Sequence, residues 1–242
     1  MINSPLISCI VRVFNGELYL AEALDSILAQ THRPLEVLVV DDGSTDGTAK
    51  LVGGYGEKVC YLWQSNAGPA AATNLGLRAA RGDFVAFLDA DDVWHADKLA
   101  RQLERFQSRP ELDLSVTHVQ NFWIPELAEE AAKFRHHRIA KPLPGYSTVT
   151  LLARRNLFET VGHFNSALQH GGDSDWFLRA AKHEAVMELL PDVLVYRRLH
   201  RTNRSRILAA ASRDEYLELV RSEIERARCL GKTNDGGMRR GS

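Results

Sequence analysis

Residues 84–92 read FVAFLDADD, and this run decides the fold. Phe84 to Leu88 carries no polar side chain to form a solvated face. Such a segment predicts a strand buried on both sides, as in a parallel sheet covered by helices. At its end the chain delivers Asp89, Asp91 and Asp92 at one point. Open α/β sheets place ligand sites just beyond the carboxyl ends of such strands. Carboxylates crowded together repel one another unless a cation or a proton relieves them, so the run asks for a divalent metal. A capping role competes with this, since Asp91 or Asp92 could start the helix expected over Trp94 to Phe106.

The same alternation extends towards the N-terminus. Leu6 to Phe14 reads as a first strand, and Leu18 to Gln30 has helical spacing at Leu20, Ala23, Leu24, Ile27 and Leu28. Leu35 to Val40 is a second buried strand ending in Asp41-Asp42-Gly43-Ser44, and Asp46 is placed to cap a helix from Thr48 to about Val52. Val59 to Trp63 follows as a strand, and Pro69 opens a helix to about Arg81, as proline does in a first helical turn. Strand and helix alternating in this way predict an α/β fold with a mostly parallel sheet flanked by helices.

Beyond about residue 110 the alternation weakens. Leu114 to Trp123 and Val193 to Tyr196 are expected as strands, and Leu143 to Ala153 as a loop and then a strand. Ala128 to His137 and Asp173 to His183 are expected as helices. Ser212 to Cys229 is amphipathic, with Tyr216, Leu217, Leu219, Val220, Ile224 and Ala227 on or near one face. The glycine-rich polar stretch from Gly231 is expected to be disordered.

Of 242 residues, 45% are hydrophobic, enough for one sizeable core. The net charge of −1 offers no general basic field for nucleic acid. Cys9, Cys60 and Cys229 lack metal-ligand spacing and fit a reducing compartment. No segment reaches the apolar length of a membrane span, so the expectation is a cytoplasmic protein, soluble or peripheral on the inner face of a membrane.

Two strands end in acidic clusters, and in a doubly wound sheet both ends lie on one edge. Neither carries a Gly-x-Gly-x-x-Gly or Walker lysine motif, which disfavours a dinucleotide fold or a P-loop. The segments PLISCIVRVFNGELYLAEALDSILAQT, VLVVDDGSTDGT and NAGPAAATNLGLRAARGDFVAFLDADD closely resemble the family 2 glycosyltransferases of GT-A fold. The resemblance covers roughly residues 5–205 and is most specific over 5–110.

It implies an inverting transfer of a sugar from a nucleotide-diphosphate donor, UDP-linked by expectation, to an acceptor hydroxyl with Mn2+ or Mg2+. The acceptor would be a growing glycan or a lipid-linked molecule in cell-surface polysaccharide or glycolipid synthesis. Residues 1–110 then form the donor-binding half, and 111–206 the acceptor-binding and catalytic half of the same domain. Residues 207–230 form a C-terminal helix, a plausible partner or membrane-facing surface, and 231–242 a tail. Within the resemblance, Asp89-Ala90-Asp91 matches the metal motif, with Asp91 holding the cation and Asp89 facing the donor ribose or the metal shell. Asp92 is left as a cap or a supporting group. Asp42 matches the aspartate that accepts the base N–H, and Asp41 orients the loop. Val13, Phe14, Asn15, Asn66, Gly68 and Asn74 match nucleotide-lining positions.

An inverting transfer needs a base for the acceptor hydroxyl. In GHFNSALQHGGDSDWFLRAAKH, Asp173 falls on the family's base position, and Asp175 is its rival unless Arg179 pairs with it at i+4. His200, in YRRLHRTNRSR, aligns with a histidine that some relatives use as a metal ligand or diphosphate contact. Arg197, Arg198, Arg201, Arg204 and Arg206 around it form a basic loop, read as a solvated surface, a lid over the diphosphate or a patch meeting anionic lipid head groups. Trp94 and Trp176 are read as stacking faces or as packing.

Three departures stand out: Arg12 where most relatives have proline, Thr73 where many have arginine, and Gly172 where glutamate is common. Arg12 either pairs with a nearby aspartate or contacts the donor. These departures keep open a catalytically impaired nucleotide-sugar-binding module, and a sugar-nucleotide hydrolase is a further alternative.

Overall fold

The computed structural model describes residues 4–168 and 170–208, with 213, 215, 217 and 221. The first four strands are β1 (Ile7–Val13), β2 (Leu35–Asp41), β3 (Cys60–Trp63) and β4 (Phe84–Asp89). They pair in parallel in the order β3-β2-β1-β4. Their crossovers carry α1 (Leu20–Leu28), α2 (Thr48–Gly53) and α3 (Pro69–Ala79). The chain then runs through β5 (Val93–Trp94), α4 (Lys98–Ser108), β6 (Leu114–Trp123), α5 (Ala128–Phe134), β7 (Leu143–Pro144) and β8 (Leu152–Arg154). It continues through α6 (Leu157–Val161), α7 (Gly172–Lys182), β9 (Met187–Leu199) and α8 (Arg204–Ile207). All the strands join one sheet, ordered β3-β2-β1-β4-β8-β6-β9-β5, with β7 on β6.

Strand direction fixes where the site lies. β8 is antiparallel to both β4 and β6, and β9 is parallel to β6. The ends of β1, β2, β4, β6 and β9 therefore share one edge, and the loops after them meet there.

The period of two along β1 divides its side chains between two core layers. Cys9, Val11 and Val13 pack with Leu24 and Ile27 of α1 and with Leu99 and Leu103 of α4. Ile10 packs on the other face with Leu77 of α3, Phe158 of α6 and Trp176 of α7.

The helix expected from Trp94 instead begins at Lys98. Val93 and Trp94 pair with Tyr196 and Val195 of β9, and the Trp94 indole N–H donates to the Val149 carbonyl. The strand expected over Val193–Tyr196 is the middle of the longer β9. Its register against β6 steps from Leu190 to Val193, so Pro191 and Asp192 fall in an irregularity where proline's missing donor costs no ladder bond. The expected helix over Ser212–Cys229 and the tail from Gly231 lie almost wholly outside the described residues.

Candidate functional site

Asp89, Asp91 and Asp92 follow directly from the end of β4, and one ligand oxygen from each lies within 4.8 Å of the others. Each is held differently. Asp89 Oδ1 accepts from Arg12 Nε at 2.7 Å. Asp91 Oδ2 is 2.8 Å from His200 Nε2 and accepts from Asn203 Nδ2 at 3.1 Å. Asp92 is buried and accepts the Arg198 backbone N–H at 3.0 Å, which pins the end of β9 to this loop. Asp92 is thus a strand-to-loop tie, and neither it nor Asp91 caps a helix.

The electrostatics follow from this packing. Burial and the charges of Asp91 and Asp89 push the Asp92 carboxyl well above the usual range. Burial also pushes Asp89 up, with Arg12 opposing it and Asp91 adding to it. At Asp91 burial acts in the same direction, but the hydrogen bond and charge of His200 outweigh it and hold the carboxyl low. Three hard oxygen donors this close fit a Mg2+- or Mn2+-type cation.

His200 is itself buried, with Nδ1 2.9 Å from the Thr202 hydroxyl and its ring against Tyr19. It reaches Asp91 because β9 runs beside β6 to the same edge as β4.

The acidic pair at the end of β2 is held by neutral donors. Asp41 accepts the Ser44 N–H at 2.7 Å and the Tyr61 hydroxyl at 2.6 Å. Asp42 accepts from Gln64 Nε2 and from the backbone N–H groups of Ala67 and Gly68 at 2.7–2.9 Å. Gly68 can present its N–H because its φ is +90°, a conformation open to glycine. Gly43, at φ +81°, lets the Asn66 backbone approach so closely that a Cβ would sit 2.9 Å from its nitrogen. Asp42 therefore builds the 64–68 loop, and the lone pairs left on its oxygens are what remain for a ligand.

At the end of β1, Val13 is buried, Phe14 is exposed, and Asn15 has a φ of 53°. The Asn15 N–H donates to Ser44 Oγ and its Oδ1 accepts the Thr45 N–H, so the β1 and β2 loops are tied together. Ala90 is half-buried beside Asp89, and Asn66 is exposed. Asn74 sits differently: it is buried, and its amide both donates to and accepts from the Phe164 backbone. Its side chain fastens the segment before α7 onto α3.

Asp173 lies in the first turn of α7. Its Oδ2 accepts both the N–H of Thr148, at 3.0 Å, and the hydroxyl of Thr148, at 2.9 Å. Its Oδ1 stands 3.9 Å from Arg12 NH1. Arg12 thus faces both Asp89 and Asp173, so pairing with aspartate is the reading that the structure bears out for it. Asp175 pairs with Arg179 at 2.9 Å, as the i,i+4 spacing predicts.

Of the two readings offered for each tryptophan, packing is the one observed. Trp94 and Trp176 are buried packing groups, the latter stacked on Phe158 and Phe164. Arg198 is interior, paired with Glu22 at 2.6 Å and lying over the Tyr19 and Phe122 rings. Thr148 and Asn203 were missed. Nothing in YSTVT marks Thr148, whereas Asn203 at the start of a short helix carries a capping signal.

The family model for Glycosyl transferase family 2 matches residues 8–164. An uncharacterized glycosyltransferase of Rickettsia prowazekii (strain Madrid E) is 33% identical over 194 residues, covering 73% of this chain and 59% of that protein. TuaG of Bacillus subtilis (strain 168), provisionally named for teichuronic acid biosynthesis, is 43% identical over 111 residues, or 43% of each chain.

Among solved structures, S. aureus TarS 1–349 in complex with UDP-GlcNAc superposes with a TM-score of 0.67 at 22% identity, over 83% of this chain and 60% of that one. The Pyrobaculum calidifontis mannosyltransferase PcManGT, with GDP-Man and Mn2+, gives 0.64 at 24% identity, over 85% and 60%. At such identities the structures speak for the fold, which is that of the GT-A glycosyltransferases. The chain spans just under 60% of the length of the R. prowazekii relative. From the extent of the family match and the R. prowazekii alignment, this chain belongs to glycosyl transferase family 2.

Proposed function

We propose that the chain is an inverting, metal-dependent glycosyltransferase that moves a sugar from a nucleotide-diphosphate donor to an acceptor hydroxyl. The observation that carries this is the meeting of two carboxylate systems at one sheet edge. The Asp89/Asp91/Asp92 cluster ends β4, and Asp173 arrives from α7 to face the same arginine. UDP is the nucleotide favoured, because in the family resemblance Asp42 matches the aspartate that accepts the base N–H, and a carboxylate can accept the N–H of uracil. The resemblance assigns Val13, Phe14, Asn15, Asn66, Gly68, Asn74 and Ala90 to the nucleotide sugar; of these, Gly68 donates its N–H to Asp42 and Asn74 braces Phe164.

Asp91, with Asp89 beside it and His200 in reach, would hold Mn2+ or Mg2+, whose chemistry there is to neutralise charge on the departing diphosphate. The chain's own residues do the rest. Thr148 fixes one oxygen of Asp173, leaving Oδ1 to take the proton of the acceptor hydroxyl. As that oxygen bonds to the anomeric carbon, the bond from carbon to the diphosphate oxygen breaks and the nucleoside diphosphate leaves.

A glycan or lipid-linked acceptor fits the relative named for teichuronic acid biosynthesis. Among the described residues no helix is long and apolar enough to cross a membrane.

The test is incubation with Mn2+, a panel of labelled UDP- and GDP-sugars, and candidate lipid-linked acceptors. Acceptor-dependent turnover that Asp173→Asn abolishes is the expected result. Full transfer by Asp173→Asn would remove the assigned base. Turnover without acceptor would make the chain a hydrolase, and binding without turnover a nucleotide-sugar-binding module.

A further inference from the structure

Arg12 and Thr73, both departures from the family pattern that the sequence resembles, are in contact. Arg12 lies on β1 between Val40 and Asp89 in the sheet register. The strand period puts its side chain on the face of Ile10, the face covered by α3 and α7. From there Nε donates to Asp89 Oδ1 at 2.7 Å and NH1 donates to the Thr73 hydroxyl at 3.3 Å. The Thr73 hydroxyl proton goes to the Pro69 carbonyl at 2.8 Å, which leaves its lone pairs to face Arg12. The same NH1 stands 3.9 Å from Asp173 Oδ1. That is too long for a hydrogen bond and lies at the outer edge of ion-pair range.

We propose that Arg12 is a positioning residue for the transfer, a single guanidinium that holds the donor-side Asp89 and the acceptor-side Asp173 at a fixed separation, with Thr73 aiming it. The inference rests on the transferase reading above.

The geometry suits arginine and no other cation. Three acceptors on β4, α3 and α7 surround one planar fork, whereas a lysine ammonium is a single point on a flexible stem. Because Asp173 Oδ2 is already fixed by Thr148, the charge of Arg12 orients Oδ1 without occupying it. Because Thr73 on α3 meets the same guanidinium, an arginine placed at position 73 would offer the cation from the helix instead of the strand.

Arg12→Ala and the exchange variant Arg12→Pro/Thr73→Arg test this. Binding of UDP and of GDP, each with Mn2+, is measured by calorimetry, and kcat with the donor that the panel selects. Arg12→Ala is expected to lower kcat about 100-fold, the scale of a misplacement near 1 Å, over and above any loss of nucleotide affinity that follows from freeing Asp89. The exchange variant is expected to regain most of kcat. Arg12→Lys, which keeps the fold's charge balance, is expected to stay low because one ammonium cannot serve both carboxylates.

The inference is overturned if Arg12→Ala retains kcat. It is also overturned if its loss lies wholly in nucleotide affinity, or if a folded exchange variant, judged by an unchanged Tm, stays as slow as Arg12→Ala. A wild-type chain that turns over no donor overturns the transferase reading and this inference with it. An active wild type beside an equally active Arg12→Ala overturns this inference alone.

Discussion

The ends of β2 and β4 each present adjacent aspartates to the same edge, yet the two clusters are built on opposite principles. Asp41 and Asp42 accept from neutral donors: two side chains, three backbone N–H groups and no cation. Asp89 and Asp91 are held by Arg12 and His200, and Asp92 sits beside both with a raised pKa. A carboxylate surrounded by fixed dipoles shapes a loop, whereas one crowded by other carboxylates remains open to a cation. Under the proposed function, the same residue type at corresponding strand ends is divided between a braced loop at Asp41 and Asp42 and a cation site at Asp89 and Asp91, with Asp92 tying the latter to β9.

The strongest way to break that contrast is at Asp91. Asp91→Asn is expected to abolish calorimetric Mn2+ binding and to lower transfer on the order of 1000-fold, equivalent to several kcal/mol of lost charge stabilisation. The Tm should barely move, because an amide can still bond to Asn203. An Asp91→Asn protein that still binds Mn2+ tightly would place the cation elsewhere.

Asp42→Ala should do the reverse. It leaves two backbone N–H groups and Gln64 without their acceptor, at a cost of about 3 kcal/mol in urea unfolding. Any loss of UDP affinity should accompany loosening of the 64–68 loop in hydrogen exchange. Stability equal to wild type would show that Asp42 is not the loop's keystone.

His200→Ala sharpens the other side of the comparison. A group that orients a metal carboxylate typically contributes 10–100-fold, so Mn2+ affinity should fall by roughly that factor. An unchanged affinity would reduce His200 to a packing group.

The smallest effect concerns a cation without a carboxylate. Lys98 is fully buried, with Nζ donating to Gln102 Oε1 at 2.8 Å and lying over the Trp94 ring. Burial pushes its pKa down from 10.5 to about 7. Between these values the unfolded chain binds more protons than the folded one, so stability rises with pH, by up to about 1.4 kcal/mol per unit. Above pH 9 the buried Cys9 thiol, pushed up to about 12, acts in the opposite sense. The clean window is therefore pH 7 to 9, where Lys98→Met should flatten the urea-unfolding slope seen in wild type. A slope unchanged by Lys98→Met would assign it to other groups.

Much of the fold over residues 5–110 is legible in the sequence. Continuous apolar runs and helical spacing marked β1, β2, β4, α1 and α3 to within a few residues, because burial on both faces leaves a one-dimensional record. Trp94 was misread as helical because its strand exists only through pairing with β9. The extent of β9 was hidden by Pro191, which a register step accommodates. Asn74 showed a motif position but not its partner, since Phe164 reaches it from the other half of the chain.

The sequence by itself determined the alternating α/β order, the two acidic strand ends and the family resemblance, all carried by local runs of residues. Only the tertiary structure decided which carboxylates meet which donors. It brought His200 to Asp91, Thr148 to Asp173, and Arg12 between Asp89 and Asp173. Hydrophobic burial is written residue by residue, whereas the partner of a charge is set by strand direction and helix packing across the whole chain.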